Sequence, residues 1–451
     1  MAHIVIIGNG IAGITAARWI RKLSDHQVTV ISSESKYFFS RTALMYVYMG
    51  DLKWKDLEPY EPHFWTKNRI EILQDRVLSI DFENRSVELD QHGILSYDKL
   101  ILATGSKSLK PDIPGIHLEG VTGLYHKSDL EYLERQSPSI KKAAIIGGGL
   151  IGIELAEMFY SRNIPFSMLV REPSYSSPVL PAEESQIINR HIREHGVDLR
   201  LSCGVSELVD DGTGKVCAVQ TEQDERLAFD FVGITAGVVP NIDFLRNTKL
   251  ESDSGILVDA FLETNITDVY AIGDCAQLRD PDPGRRAIEP LWYTGRMMGE
   301  TAARNICGFR SAYRPGFWFN SAKFFDIEYQ VYGQVPAIIQ EPLNSFYWES
   351  ADGQKSIRIV YENENKIVRG FNLMGIRFRQ EVCEKWLRQK SRLEDVVAQI
   401  RLAFFDPEFY PDHGSEIFLK FENETGKQLG RRSGNALDAV LQFFKSKNTA
   451  S

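Results

Sequence analysis

Two stretches of one layout constrain this chain more than any other feature. Residues 3–17, HIVIIGNGIAGITAA, read as an apolar strand, a glycine turn at Gly8, Gly10 and Gly13, and the start of a helix. Residues 143–156, AAIIGGGLIGIELA, repeat that order with Gly147, Gly149 and Gly152, and place Glu154 two residues past the last glycine. A continuous apolar run suits a parallel strand covered on both faces. In such a unit the first glycine permits the tight turn, the second lets a pyrophosphate approach the backbone, and the third lets helix pack on strand. The N–H groups of the helix end then face the phosphates. A single such motif competes with an ordinary tight turn. Here both lie directly between strand and helix, which predicts two dinucleotide sites about one domain length apart and electrons passing between them.

The chain has 451 residues, 43% hydrophobic and 25% charged, enough for about three domains with ordinary cores. A net charge of −9 argues against nucleic acid or an anionic membrane as the main partner. No apolar run approaches the roughly 18 residues of a membrane span, and no leader pattern precedes the strand at His3. Cys203, Cys217, Cys275, Cys307 and Cys383 are scattered without a C-x-x-C pair. Neither a metal site nor a disulfide framework is expected, and a reducing cytoplasm is the expected setting.

Along the first half, an acid should end the second strand to hold ribose hydroxyls, and Glu34 stands just past that strand end. The competing reading of Glu34 is a solvated loop carboxylate. Arg41 lies in a mainly uncharged, aromatic stretch, suited either to a phosphate or flavin contact or to a pair with Glu34. Residues 97–105, YDKLILATG, form a buried strand ending in a small-residue turn, where Thr104 and Gly105 admit close backbone approach. Residues 128–133 read as a helix with Ser128 as N-cap and Glu131 three residues on. The strand over 165–170 ends in Arg171 and Glu172. An acid there favours NAD and a base accommodates the 2′-phosphate of NADP. A buried strand over 230–236 ends near Gly237, and YAIGDCAQ points Asp274 from a strand end, where ligands collect in open α/β sheets.

From Phe317 the pattern becomes antiparallel, with strands predicted over 322–332, 339–349, 356–362 and 366–374 and helices over 380–388 and 393–402. The tail over 435–445 is amphipathic and reads as a docked helix, with a membrane-surface anchor as the alternative.

The two fingerprints, the ATG of residues 103–105 and GILVDAFLETNITDVYAIGDCA at 255–276 resemble the flavin-dependent pyridine-nucleotide oxidoreductases of glutathione-reductase-like fold. NSAKFFDIEYQVYGQ (320–334) and KIVRGFNLMG (366–375) look like the dimerisation domain of the branch holding nitrite reductase flavin domains, rubredoxin and ferredoxin reductases and apoptosis-inducing factor. SSESKYFFSRTALMYVYMG (32–50) is most similar to the nitrite-reductase-like members. The implied fold class is α/β, with two Rossmann-like dinucleotide-binding domains, one inserted in the other, and a C-terminal α+β dimerisation-type domain. The implied boundaries are 1–112 with 240–312 for FAD, 113–239 for NAD(P), and 313–451 for the interface domain.

The resemblance implies FAD along Gly8, Gly10 and Gly13, its ribose near Glu34, its adenine near Val77, and Thr104 and Gly105 closing over it. Gly273 and Asp274 would meet its ribityl or pyrophosphate part, with Arg41 close by. NAD(P)H would lie at Gly147, Gly149 and Gly152, with Ile151 beside the nicotinamide, Glu154 on its carboxamide, and Arg171, Glu172 and Gly237 in the same cofactor-binding set. NADH is slightly favoured. Trp292 or Tyr293 would flank the flavin, with plain core packing as the alternative for Trp292.

Two departures shape the expected chemistry. No cysteine precedes Cys203, so the thiols of the family's disulfide reductases are missing. Several relatives carry a lysine five residues past the arginine, where this chain has Tyr46. The expected function is hydride transfer from NAD(P)H to FAD, then electron transfer to a quinone, small redox protein or small oxidant, without a thiol relay. The alternatives are a redox-gated signalling flavoprotein resembling apoptosis-inducing factor, or a peripheral membrane NADH:quinone reductase. A homodimer is expected.

Overall fold

The structure is a computed structural model that describes residues 1–405, 408–409 and 411–428. The amphipathic stretch over 435–445 lies outside the described residues. The chain divides into two compact units, residues 1–169 with 203–315, and residues 170–202 with 316–451.

The first unit is built on two parallel sheets. Strand β1 (His3–Ile7), helix α1 (Ile11–Leu23) and strand β2 (Gln27–Ser32) form the first β–α–β unit. Strands β3 (Ile70–Gln74) and β4 (Lys99–Leu102) extend it. Strand β5 (Val121–Thr122), helix α2 (Lys127–Gln136), strand β6 (Ala143–Ile146), helix α3 (Leu150–Ser161), strand β7 (Phe166–Leu169) and strand β8 (Phe231–Ile234) form the second layer set. Strand β9 (Val269–Ala271) and helix α4 (Trp292–Ile306) return to the first. The strand orders are β9–β4–β1–β2–β3 and β7–β6–β8–β5, all parallel. This is the Rossmann-like arrangement expected from the fingerprints.

Register explains where a site can form. Ile7 lies opposite both Ile31 and Leu102, and Leu102 opposite Ala271, so four strands end together at one edge. Ile4, Val5, Ile6, Leu100, Ile101 and Leu102 are fully buried, as runs covered on both faces must be. Helix α2 begins at Lys127, not Ser128. The Asp129 carboxylate accepts from the backbone N–H groups of His126 (2.8 Å) and Tyr125 (2.9 Å), so an acid in the first turn sets the helix start and Ser128 falls inside it.

The second unit holds a five-stranded antiparallel sheet. Its strands are β10 (Phe319–Phe324), β11 (Ile327–Gly333), β12 (Leu343–Glu349), β13 (Ser356–Glu362) and β14 (Val368–Met374), in the order β10–β11–β14–β13–β12. The single strand expected over 322–332 is a hairpin. Phe324 pairs Ile327 across a two-residue turn at Phe325 and Asp326, and the flanking aromatic residues hide that turn from a reading by hydrophobicity. Helices Gln380–Arg388, Leu393–Ala398 and Gly414–Thr425 cover one face around Phe371, Trp386, Val396 and Phe421. Within this unit helix Ala182–Glu194 is tied to β13 by a buried charge pair. Arg358 donates to both oxygens of fully buried Glu184 (2.7 and 2.9 Å) and to Glu183 (2.7 Å).

Removing one partner of such a pair strands the other charge. Arg358→Met is expected to lower unfolding free energy by about 3 kcal/mol, and Glu184→Leu added to it should recover most of that. Urea unfolding of the single and double variants checks this.

Candidate functional site

A cavity of about 1170 Å³ opens at the C-terminal edge of the first sheet, larger than the roughly 300–1,000 Å³ of pockets for drug-sized ligands. Each wall comes from the residues just past a strand. Gly8, Asn9 and Gly10 follow β1, Ser33 and Glu34 follow β2, Thr104 and Gly105 follow β4, and Gly273 and Asp274 follow β9. Val77 adds a side wall, Ile151 and Glu154 enter from α3, and Trp292 stands at the start of α4.

The glycines make a phosphate cradle by exclusion. A Cβ on Gly8, at φ +113°, would meet the Ala103 carbonyl oxygen at 2.0 Å. One on Gly13 would meet the Gly8 carbonyl oxygen at 2.0 Å, so the first turn of α1 is drawn against β1. Gly10 faces open space, and no side chain caps α1. Helix N–H groups presented to an open cavity in this way suit a pyrophosphate, and the cavity fits FAD. The second fingerprint repeats the steric device: a Cβ on Gly147, at φ +128°, would lie 2.5 Å from the Thr235 carbonyl oxygen.

Not every candidate residue meets here. Gly8, Gly10, Glu34, Arg41, Val77, Thr104, Gly105, Ile151, Glu154, Gly273, Asp274 and Trp292 line the cavity. Gly13 lies beneath it, and Gly147, Gly149, Gly152 and Gly237 are not among its lining residues. Arg171 and Glu172 belong to the second unit, where they pair with each other at 3.3 Å.

Three of the five carboxyl groups that line the cavity have different electrostatics. Burial works against ionisation of Glu34, yet hydrogen bonds from His126, Arg41 and the Lys127 backbone outweigh it and hold its pKa down at about 2. Arg41 grips it at 3.1 and 2.5 Å and also donates to the Tyr125 carbonyl. The structure thus brings Arg41 and Glu34 together on the cavity wall. Glu154 goes the other way: burial first, then the charge of Glu157, push it up to about 7. Burial also raises Asp274, which accepts from Ser106 Oγ at 3.0 Å and from the Tyr125 hydroxyl at 3.5 Å.

Sequence reasoning missed Asn9, Ser106, Tyr125 and His126. Asn9 had a signal, a polar residue between two glycines, and its side chain donates to the Ser35 carbonyl at 2.9 Å. Tyr125 and His126 had none, because they reach Glu34 and Asp274 across the fold. None of the five free cysteines lines the cavity. Cys275 is fully buried, its thiol pushed up by burial and hydrogen-bonded to the Leu102 and Ile272 carbonyls.

Fold and cavity together define an α/β protein with two Rossmann-like parallel sheets, each followed by a glycine fingerprint, in its first unit. Residues 2–299 match the pyridine nucleotide-disulphide oxidoreductase family, and the chain belongs to it. It is 28% identical over 312 residues to the nitrite reductase (NAD(P)H) of Bacillus subtilis (strain 168), covering 68% of this chain and 38% of that protein. It therefore spans less than half the length of that relative. It is 30% identical over 326 residues to the rhodocoxin reductase of Rhodococcus erythropolis, covering 71% and 76%. Among solved structures, the ferredoxin reductase for the CYP199A2 system of Rhodopseudomonas palustris superposes with a TM-score of 0.76 at 23% identity over 83% of this chain and 91% of that one. Membership of the family relates the chain to oxidoreductases of pyridine nucleotides and disulphides.

Glu34 has a testable acid signature. Its folded pKa lies below the ordinary 4.5, so the unfolded chain binds more protons, and stability falls as pH drops from about 4.5 towards about 2. Glu34→Gln should cost about 2 kcal/mol at pH 7, because Arg41 loses its partner, and should flatten that acid limb. Urea unfolding at pH 7 and pH 3 reads both effects.

Proposed function

We propose that this chain takes hydride from NADH onto FAD and passes electrons to a small redox protein without a thiol relay. The observation that carries the reading is the meeting of two motifs in one cavity: Ile151 and Glu154 from the second fingerprint helix face Gly8, Gly10, Thr104 and Asp274 from the first sheet. When bound, FAD supplies a hydride acceptor and a store from which electrons leave singly or in pairs.

Gly8, Gly10, Gly13 and the start of α1 hold its pyrophosphate, Glu34 and Arg41 its ribose side, and Val77 its adenine side. Thr104, Gly105, Gly273 and Asp274 hold the remainder. Gly147, Gly149, Gly152 and Gly237 hold the nicotinamide dinucleotide, and Ile151 excludes water beside its ring. Close to half-protonated near neutral pH, Glu154 offers its carboxyl as donor or acceptor to a carboxamide. Trp292 is 36% exposed and lines the cavity, which supports a role at the flavin edge.

Names of similar proteins support the acceptor: one is a rhodocoxin reductase and another a ferredoxin reductase. That none of the five cysteines is among the lining residues supports direct electron exit. Those free cysteines also fit a reducing cytoplasm. Among the described residues no helix is long and apolar enough to cross a membrane. The antiparallel sheet of the second unit supports a homodimer through its resemblance to a dimerisation domain.

Anaerobic mixing tests the core of the reading. The flavin should bleach with NADH faster than with NADPH, and a ferredoxin or rubredoxin should restore its colour. No bleaching with either nucleotide sinks the proposal. The limiting rate of that bleaching should titrate with an apparent pKa near 7. In Glu154→Gln it should become independent of pH and fall by about tenfold, the worth of one hydrogen bond. A Gln variant that keeps the titration places its source elsewhere.

A further inference from the structure

We propose that His191, His195 and Asp326 form a binding site for a divalent transition-metal ion of the zinc class, in the second unit and separate from the flavin cavity. The scattered cysteines predicted no metal; this site uses none.

Its parts stand on rigid elements. His191 lies in the last turn of helix Ala182–Glu194, and His195 caps that helix four residues on, so both rings project from one face. Asp326 sits in the two-residue turn between β10 and β11, where Phe325 holds φ at 54°. Both imidazoles aim at one carboxylate oxygen: Nε2 of His191 is 2.5 Å and Nε2 of His195 is 3.5 Å from Oδ1 of Asp326. The ligand atoms of all three residues lie within 4.8 Å of one another. Tetrahedral zinc with bonds near 2.0–2.1 Å needs ligand atoms about 3.3 Å apart, a spacing that small side-chain rotations supply here.

The surroundings fit ligation. A carbonyl oxygen can only accept, so the 2.9 Å contact of His195 Nδ1 with the His191 carbonyl makes Nδ1 the donor, and in the neutral ring the Nε2 lone pair is then directed at the site. Phe325 stacks on the His195 ring at 4.5 Å and 20°, fixing its plane. The His191 side chain is only 6% exposed, and its Nδ1 is buried with no hydrogen-bond partner, 3.7 Å from Glu194 Oε2. Metal at Nε2 places a proton on that Nδ1, facing the Glu194 carboxylate. A plain ion pair accounts for His191 and Asp326 but not for a second imidazole brought to the same carboxylate oxygen. Asp326 is exposed, so a fourth position stays open to water. Two imidazoles and a carboxylate are a borderline donor set that selects zinc-like ions over calcium or magnesium. An ion here clamps helix end to hairpin tip.

The test uses the full-length, flavin-loaded protein, stripped with chelator and desalted. Equilibrium dialysis against micromolar Zn²⁺ should give one ion per chain. His195→Gln and Asp326→Asn should each weaken binding by more than about tenfold at unchanged flavin content. Unchanged stoichiometry and affinity in both variants, or no binding at micromolar Zn²⁺, overturns the site. Should either variant lose flavin, the wild-type protein decides alone: Co²⁺ should give intense tetrahedral visible bands, and a weak octahedral spectrum overturns the site.

Discussion

The close approach of a glycine backbone to a neighbouring strand-end carbonyl is the constraint on which the first unit depends. At Gly8 the neighbour is the Ala103 carbonyl, at Gly147 the Thr235 carbonyl, and at neither is there space for a single carbon. Both residues hold positive φ, so L side chains are excluded twice, by conformation and by contact. The same economy recurs where α4 crosses α1. A Cβ on Gly299 would lie 2.5 Å from the Ala12 carbonyl oxygen, and Gly295 stacks on Ile11 and Ala12. Helix α4 therefore lies flat on α1 and delivers Trp292, at its start, to the cavity that α1 opens. Geometry set by missing side chains thus places the aromatic wall as well as the phosphate cradle.

Inside that cavity the charges are sorted by partners. Glu34 has a guanidinium, an imidazole and a backbone N–H, and stays ionised far into acid. Glu154 has burial and a like charge, and sits near neutrality. With Tyr46 where the resemblance anticipates a lysine, no ammonium at that position lowers the Glu154 pKa. Two carboxyls whose environments drive their pKa values apart can serve different tasks within one site: Glu34 as a fixed anion, Glu154 as a group that gains and loses its proton in the working range.

The parts legible from sequence were those governed by local sterics and by strand burial. The glycine turns, the parallel strands and the strand-end positions of Thr104 and Asp274 all follow from composition within a few residues. Long-range partners were not legible. Glu34 reads as a ribose acid or a solvated carboxylate, and nothing near it announces Lys127, whose backbone N–H donates to it at 2.8 Å across 93 residues. The hairpin within 322–332 was hidden for a different reason. Its turn residues, Phe325 and Asp326, follow Phe324 and precede Ile327, so hydrophobicity runs through a break made by one positive φ. The cap of α2 was misread because Asp129 and Ser128 compete for the same turn, and the carboxylate, reaching two N–H groups, wins.

Cys275 shows why a motif residue need not carry chemistry. It sits in the turn that presents Asp274, beside the cavity, where a reactive thiol would be useful. Its sulfur instead lies between the carbonyls that end β4 and β9, fully buried, and burial raises its pKa away from the thiolate. A small apolar atom with a weak donor is well suited to that place, because it fills the strand-end gap and offers its one S–H to the carbonyls on either side. A charged or bulkier side chain there would press on the Asp274 turn. Under the proposed function this division is consistent: the position beneath the flavin site is used for packing, and electrons leave the cavity without passing through sulfur.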